Sequence, residues 1–171
     1  MEQTKNKLPN DVTIFLNNLK HYVDEPIYYY GSIQRIDYYF GSDIDVDIFS
    51  NNVDDLVIKL SHYLKVSKRR FKKIIQHSHN SNKTIFGYKV FYDKNLSTPI
   101  EISIYHMKDK STVLGEHKMK LNIPFYISWL LIILKFFYYT LHIISDDYYK
   151  YYKKELLSTC IGLPQHTFIK I

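Results

Sequence analysis

The stretch SDIDVDIFS, residues 42–50, alternates strictly between acid and aliphatic side chains. A period of two fits a β-strand and no helix, so residues 43–49 are predicted to be a strand with Ile44, Val46 and Ile48 turned into a core. Asp43, Asp45 and Asp47 then share the other face, spaced about 6.5–7 Å apart along the backbone. Like charges on one face repel unless a proton or a cation joins them. Hard divalent cations take oxygen ligands, commonly one or two carboxylates together with substrate phosphates. The pattern therefore points to a metal-assisted site; its plainer alternative is an edge strand guarded by solvated charge.

A second strand fits the same scheme. In PIEISIY, Ile100, Ile102 and Ile104 face one way and Glu101 faces the other. If the two strands are neighbours, Glu101 joins the aspartates as a further ligand or as a proton acceptor. Twelve positions before Asp43 stands Gly31-Ser32, directly after the short apolar strand IYYY. A glycine there permits close backbone approach, and the N–H groups and hydroxyl that follow can donate to phosphate.

Gly31-Ser32, a ten-residue connection, DID at residues 43–45 and a distal apolar-Glu-apolar strand together resemble the nucleotidyltransferase superfamily of the DNA polymerase β type. The resemblance covers roughly residues 27–105. It implies an α/β (α+β) fold with a mixed sheet and flanking helices. It also implies two Mg²⁺ ions (or Mn²⁺), a nucleoside triphosphate such as ATP, and an acceptor hydroxyl on an RNA end, a protein or a small molecule. By position, Asp43, Asp45 and Glu101 match the catalytic, metal-binding carboxylates. Gly31 and Ser32 match the phosphate-contacting turn, with Arg35 as a nearby phosphate ligand. Asp47 is surplus. The family's second glycine, five positions after the first, is replaced by Ile36. That departure supports an alternative reading, a nucleotide-binding or regulatory module without turnover.

Along the 171-residue chain the apolar periodicity gives the order α-β-β-α-β-β-β-α-α. Asn10 or Asp11 is expected to cap the first helix and Asn51 or Asn52 the second. Residues 1–121 read as the catalytic core and 122–171 as C-terminal helices packed on it. Residues 123–144 are apolar enough to span a bilayer, which would make a membrane-anchored protein. Lys135 in the middle argues instead for a core helix lying over Ile44, Val46, Ile100 and Ile102. Lys135, or a lysine of YYKYYKK, is then placed to face the nucleotide.

The net charge of +6 favours anionic partners. Six basic residues within 65–73 read either as a path for nucleic acid or triphosphate, or as a solvated helix end. Seventeen tyrosines and no alanine reflect AT-rich codons and are no sign of base stacking. The HSH at 77–79 reads as polar loop, and Cys160 as a small buried residue. A lone cysteine excludes an internal disulfide and, with a polar N-terminus lacking a signal peptide, fits a reducing, cytoplasmic compartment.

Overall fold

The computed structural model describes residues 1–78 and 83–161, with the side chains of residues 160 and 161 excepted. The expectations for His79 and for the Cys160 side chain lie outside the described residues.

Helix α1 (Asn10–Val23) leads into β1 (Ile27–Tyr30), a single 3₁₀ turn (Gly31–Gln34) and β2 (Ile44–Ser50). Helix α2 (Val53–Tyr63), β3 (Lys72–His77), β4 (Thr84–Tyr92) and β5 (Ile100–His106) follow. The chain continues through α3 (Lys110–Met119), α4 (Phe125–Lys135), a π-helical turn (Phe136–Thr140) and α5 (Asp146–Ile161). The strands form one five-stranded mixed sheet in the order β1-β2-β5-β4-β3. β2 and β5 run parallel and the other pairs antiparallel. This is the expected α/β class.

The alternation of β2 and β5 decides how the sheet is covered. Ile44, Val46, Ile48, Ile100, Ile102 and Ile104 are fully buried on one face. They pack with Val12, Leu16, Leu19 and Val23 of α1 and Leu56, Val57, Leu60 and Leu64 of α2. Each such burial contributes about 1.5–3 kcal/mol. The opposite face carries the carboxylates. One end of it is covered by α3 through a smaller cluster of Tyr28, Phe49, Ile85, Tyr105 and Val113.

Three expectations need correction. Helix α1 starts at Asn10 after Pro9, without a side-chain cap; Asp11 instead accepts from the Ser97 backbone N–H at 2.6 Å and from Ser97 Oγ at 2.8 Å. Asn52 does cap α2, accepting from the Asp55 N–H. Helix α3 was not expected: its short sequence KSTVLGEHKM has few apolar residues and a glycine in the middle, so its helical period is faint.

The third correction concerns residues 123–144. They do not form one helix and do not cover Ile44, Val46, Ile100 and Ile102, because α1 and α2 already do. Lys135 ends the α-helical part, its ammonium drawn to Asp37. A π-helical turn follows, and His142 takes a left-handed φ of 53° beyond it. Phe125, Tyr126 and Trp129 of α4 are more than half exposed. Among the described residues no helix is long and apolar enough to cross a membrane.

Candidate metal and nucleotide site

The parallel register of β2 on β5 sets Asp45 opposite Glu101 and Asp47 opposite Ser103. Opposed residues share a sheet face, so Asp45 and Glu101 project together. Asp43 lies just before β2 rather than inside it, and reaches the same space from the loop. Asp43, Asp45 and Glu101 each offer an oxygen within 4.8 Å of the others, and all three are partly buried. An all-oxygen set of that size suits a hard divalent cation.

The electrostatics agree with that chemistry. Burial pushes the Asp45 pKa well above the usual carboxylate range, and the charges of Asp43 and Glu101 push it further. Lys153 of α5 and Lys89 of β4 act the other way. The Lys89 ammonium lies 2.7 Å from Glu101 Oε1 in an ion pair. Both side chains keep some exposure to solvent, so Lys89 is free to turn towards another anion.

Gly31 is placed against Asp45. It has a positive φ of 71°, and a β-carbon there would stand 2.9 Å from Asp45 Cγ. The glycine turn thus lets the backbone approach the carboxylate that a metal would need, as well as any phosphate. Ser32 is buried within the Gly31–Gln34 turn. The N-terminal segment clasps this turn. Asn6 Nδ2 donates to the carbonyls of Ile33 and Arg35 at 2.9 and 2.7 Å, and Gln34 Nε2 donates to the Gln3 carbonyl at 2.7 Å.

Arg35 is not presented to the carboxylates. Its guanidinium is buried and donates through Nε and Nη2 to Asp37 at 2.6 and 2.9 Å. Lys135 donates to the same carboxylate at 3.0 Å and to the Asp37 carbonyl at 2.6 Å. Of the C-terminal lysines, Lys153 is the one that bears on Asp45. The basic residues of 65–73 lie on the surface, around a 3₁₀ turn (Lys68–Arg70) and the edge strand β3, two strands away from β5.

The surplus Asp47 has a structural partner. It is fully buried, and its Oδ2 lies 2.7 Å from His117 Nε2 on α3. Its Oδ1 has no hydrogen-bond partner. Burial raises the Asp47 pKa although the His117 bond pulls it down. The Tyr30 ring stacks on His117 at 4.1 Å, while its hydroxyl lies 3.2 Å from Ser103 Oγ and donates to Glu101 Oε1 at 3.5 Å. Burial, with Asp47, Asp45 and Glu101 close by, holds the Tyr30 hydroxyl in its neutral form by raising its pKa.

Sequence reasoning did not find His117, Tyr30 or Lys89; Lys153 was within reach of it, as one of the lysines of YYKYYKK expected to face the nucleotide. Lys89 had a usable signal, as the one cation in the alternating strand TIFGYKVFY. His117 had none, because its helix was itself missed.

The chain matches no protein-family model, no curated protein and no solved structure.

Proposed function

We propose that the protein is a Mg²⁺-dependent nucleotidyltransferase. It would pass a nucleoside monophosphate from a triphosphate, ATP foremost, to an acceptor hydroxyl on an RNA end, a protein or a small molecule. The observation that carries this reading is the meeting of Asp45 and Glu101 from two parallel neighbouring strands with Asp43 from the loop before β2, immediately behind the Gly31 turn. These three residues would hold Mg²⁺, or Mn²⁺ in its place. Bound there, the ions supply charge neutralisation of the triphosphate and activation of the acceptor oxygen.

The chain's own residues have separate parts in this reading. Glu101, released from Lys89, completes the ligand set or takes the acceptor's proton. Lys89 and Lys153 are near enough to the carboxylates to meet the charge of a triphosphate. Gly31 and Ser32 bring the backbone to the same point. Catalysis of this kind is mostly positioning and charge stabilisation, which suits a rigid sheet bearing few groups.

A second reading, nucleotide binding without turnover, is favoured by the Lys89–Glu101 ion pair and by Ile36 at the family's glycine position. The experiment that separates them incubates the protein with labelled triphosphates, Mg²⁺ or Mn²⁺, and RNA, protein and small-molecule acceptors. Metal-dependent transfer that is lost in Asp45→Asn supports the transferase. Saturable nucleotide binding with no transfer to any acceptor class supports the silent module.

A further inference from the structure

Strand register extends the carboxylate face of the sheet beyond the candidate metal site. Phe91 of β4 stands opposite Glu101, which stands opposite Asp45. One step along, Lys72 of β3 stands opposite Lys89, and Lys89 opposite Ser103. Opposed residues share a face, and neighbouring strands lie about 5 Å apart. Phe91, Lys89 and Lys72 therefore continue the surface that bears Asp45 and Glu101, towards the edge of the sheet. That side is open to solvent: Phe91 is 45% exposed, Lys72 is exposed, and the Lys89 side chain keeps 31% of its surface.

The same edge gathers positive charge. Six of residues 65–73 are basic, and no acidic residue occurs from 65 to 77. Among the described residues none of the six forms an ion pair. β3 and β4 are antiparallel, and β3 begins at Lys72 opposite Lys89. The turn Lys68–Arg70 just before it thus lies at the end of the sheet where β4 carries Phe91. Its three basic residues are exposed. The turn is pinned all the same: Phe71 is buried in the main core, and Ser67 Oγ accepts from the Arg69 N–H at 3.3 Å.

A triphosphate at the carboxylates has Lys89 and Lys153 to meet its charge. It has no use for cations on β3, about 10 Å from Glu101 across two strand spacings. An extended polyanion does. A single strand of nucleic acid joins regular phosphates to bases that stack on aromatic rings, and proteins that hold such strands combine a basic track with exposed aromatics. An acidic peptide would use the cations and leave Phe91 idle.

We propose that the acceptor is the end of a single strand of nucleic acid lying across the sheet from β5 to β3, with a base stacked on Phe91 and backbone phosphates on Lys72 and the Lys68–Arg70 turn. Its role as acceptor rests on the transferase reading; its binding does not, since none of these residues is a proposed metal ligand. In the transfer, the terminal hydroxyl oxygen forms a bond to the α-phosphorus as the bond from that phosphorus to the oxygen bridging the β-phosphate breaks. The hydroxyl proton passes to Glu101, and pyrophosphate leaves with the electron pair of the broken bond.

The test follows, by fluorescence anisotropy, the binding of labelled RNA and DNA strands of about twelve nucleotides to the full chain in EDTA, beside a duplex of the same length and polyglutamate. The expected result is saturable binding of single strands, tighter than of duplex or polyglutamate. It should weaken with salt at a log–log slope of about −1.4 to −2.8, for two to four phosphates held. Phe91→Leu, apolar but without a ring, should weaken binding at least about fivefold, and Phe91→Tyr should retain it. Lys72→Glu should weaken it and make the salt slope shallower by about 0.7. The proposal is overturned if no single strand binds saturably up to about 100 μM, or if Phe91→Leu or Lys72→Glu leaves the affinity unchanged. Polyglutamate binding as tightly as the strands overturns it in favour of an acidic polypeptide. A second arm adds Mg²⁺ and labelled ATP. Label joined to the bound strand supports the acceptor role. Label joined only to a protein or small molecule overturns that role and leaves the transferase standing. Strand binding with the expected losses, but no transfer to any acceptor, overturns the transferase and the acceptor role together and leaves the strand-binding face.

Discussion

Gly31 and Asp45 are in contact: a β-carbon on Gly31 would come within 2.9 Å of Asp45 Cγ, from a backbone already at φ 71°. Gly31→Ala therefore meets a steric clash and an unfavourable left-handed conformation together. The conformational part alone costs about 1–2 kcal/mol. The substitution should lower stability in urea denaturation by at least that amount. It should also displace the Asp45 carboxylate and weaken Mn²⁺ binding, measured by titration. Unchanged stability and Mn²⁺ affinity would falsify this placement of the turn.

Asp45→Asn removes the middle charge of three crowded carboxylates. Without metal the variant should melt at a higher temperature than the native chain at neutral pH, because burial and repulsion disfavour the charged form of Asp45. If the proposed site holds Mg²⁺, adding the ion should reverse the order, since a ligand stabilises only the chain that binds it. Thermal melts in EDTA and in excess Mg²⁺ give both comparisons; a Mg²⁺-induced rise in both proteins would place the ion elsewhere.

Replacing His117 by alanine leaves the carboxylate of Asp47 buried without its partner. Breaking a buried pair from one side costs about 3–5 kcal/mol. Asp47→Asn in the same chain should recover part of that loss, because the group then left behind is neutral. A double-mutant cycle in urea reads the coupling directly, and strictly additive single effects would show that the bond contributes nothing.

Lys135 supplies a pH dependence. Burial lowers its pKa from 10.5 to about 8, against the opposing pull of Asp37. Between those values the unfolded chain binds the proton more readily than the folded one, so this residue makes stability rise with pH above about 8. The comparison should stop near pH 9.5, because unfolded tyrosines ionise at about 10. Lys135→Met should flatten the rise between pH 7.5 and 9.5 in urea denaturation. An equally steep rise in the variant would assign it to another group.

What the sequence made legible was the alternation. Strict period two in residues 43–49 and in PIEISIY located both central strands and set Asp45 and Glu101 each opposite the buried aliphatic residues of its own strand. The two residues are also directly opposed, which depends on strand order and register, and neither strand encodes these by itself. Asp43 reached the site by another route than expected, from the loop and not from the strand. The fates of Arg35 and Asp47 were hidden for a common reason. Arg35 turns to Asp37 in its own loop, but Lys135, which shares that carboxylate, and His117, which holds Asp47, lie on elements whose placement is a tertiary fact. The apolar run of 123–144 misled because hydrophobicity says that a segment avoids water, without saying which surface it will meet.

The loop from Arg35 to Gly41, which delivers Asp43 to its fellow carboxylates, has little regular structure of its own. It is held from the far end of the chain: Lys135 grips Asp37, Thr140 bonds the Tyr39 hydroxyl, and Tyr139 stacks on Tyr39. On the ribosome, β1, β2 and β5 are complete while these holdfasts are still unmade. Asp43 can thus come to rest beside Asp45 and Glu101 only after Thr140 has left the exit tunnel. A chain arrested before that point would carry every acidic residue of the site and still lack the holdfasts of the Asp43 loop, so completion of the site waits on residues 135–140.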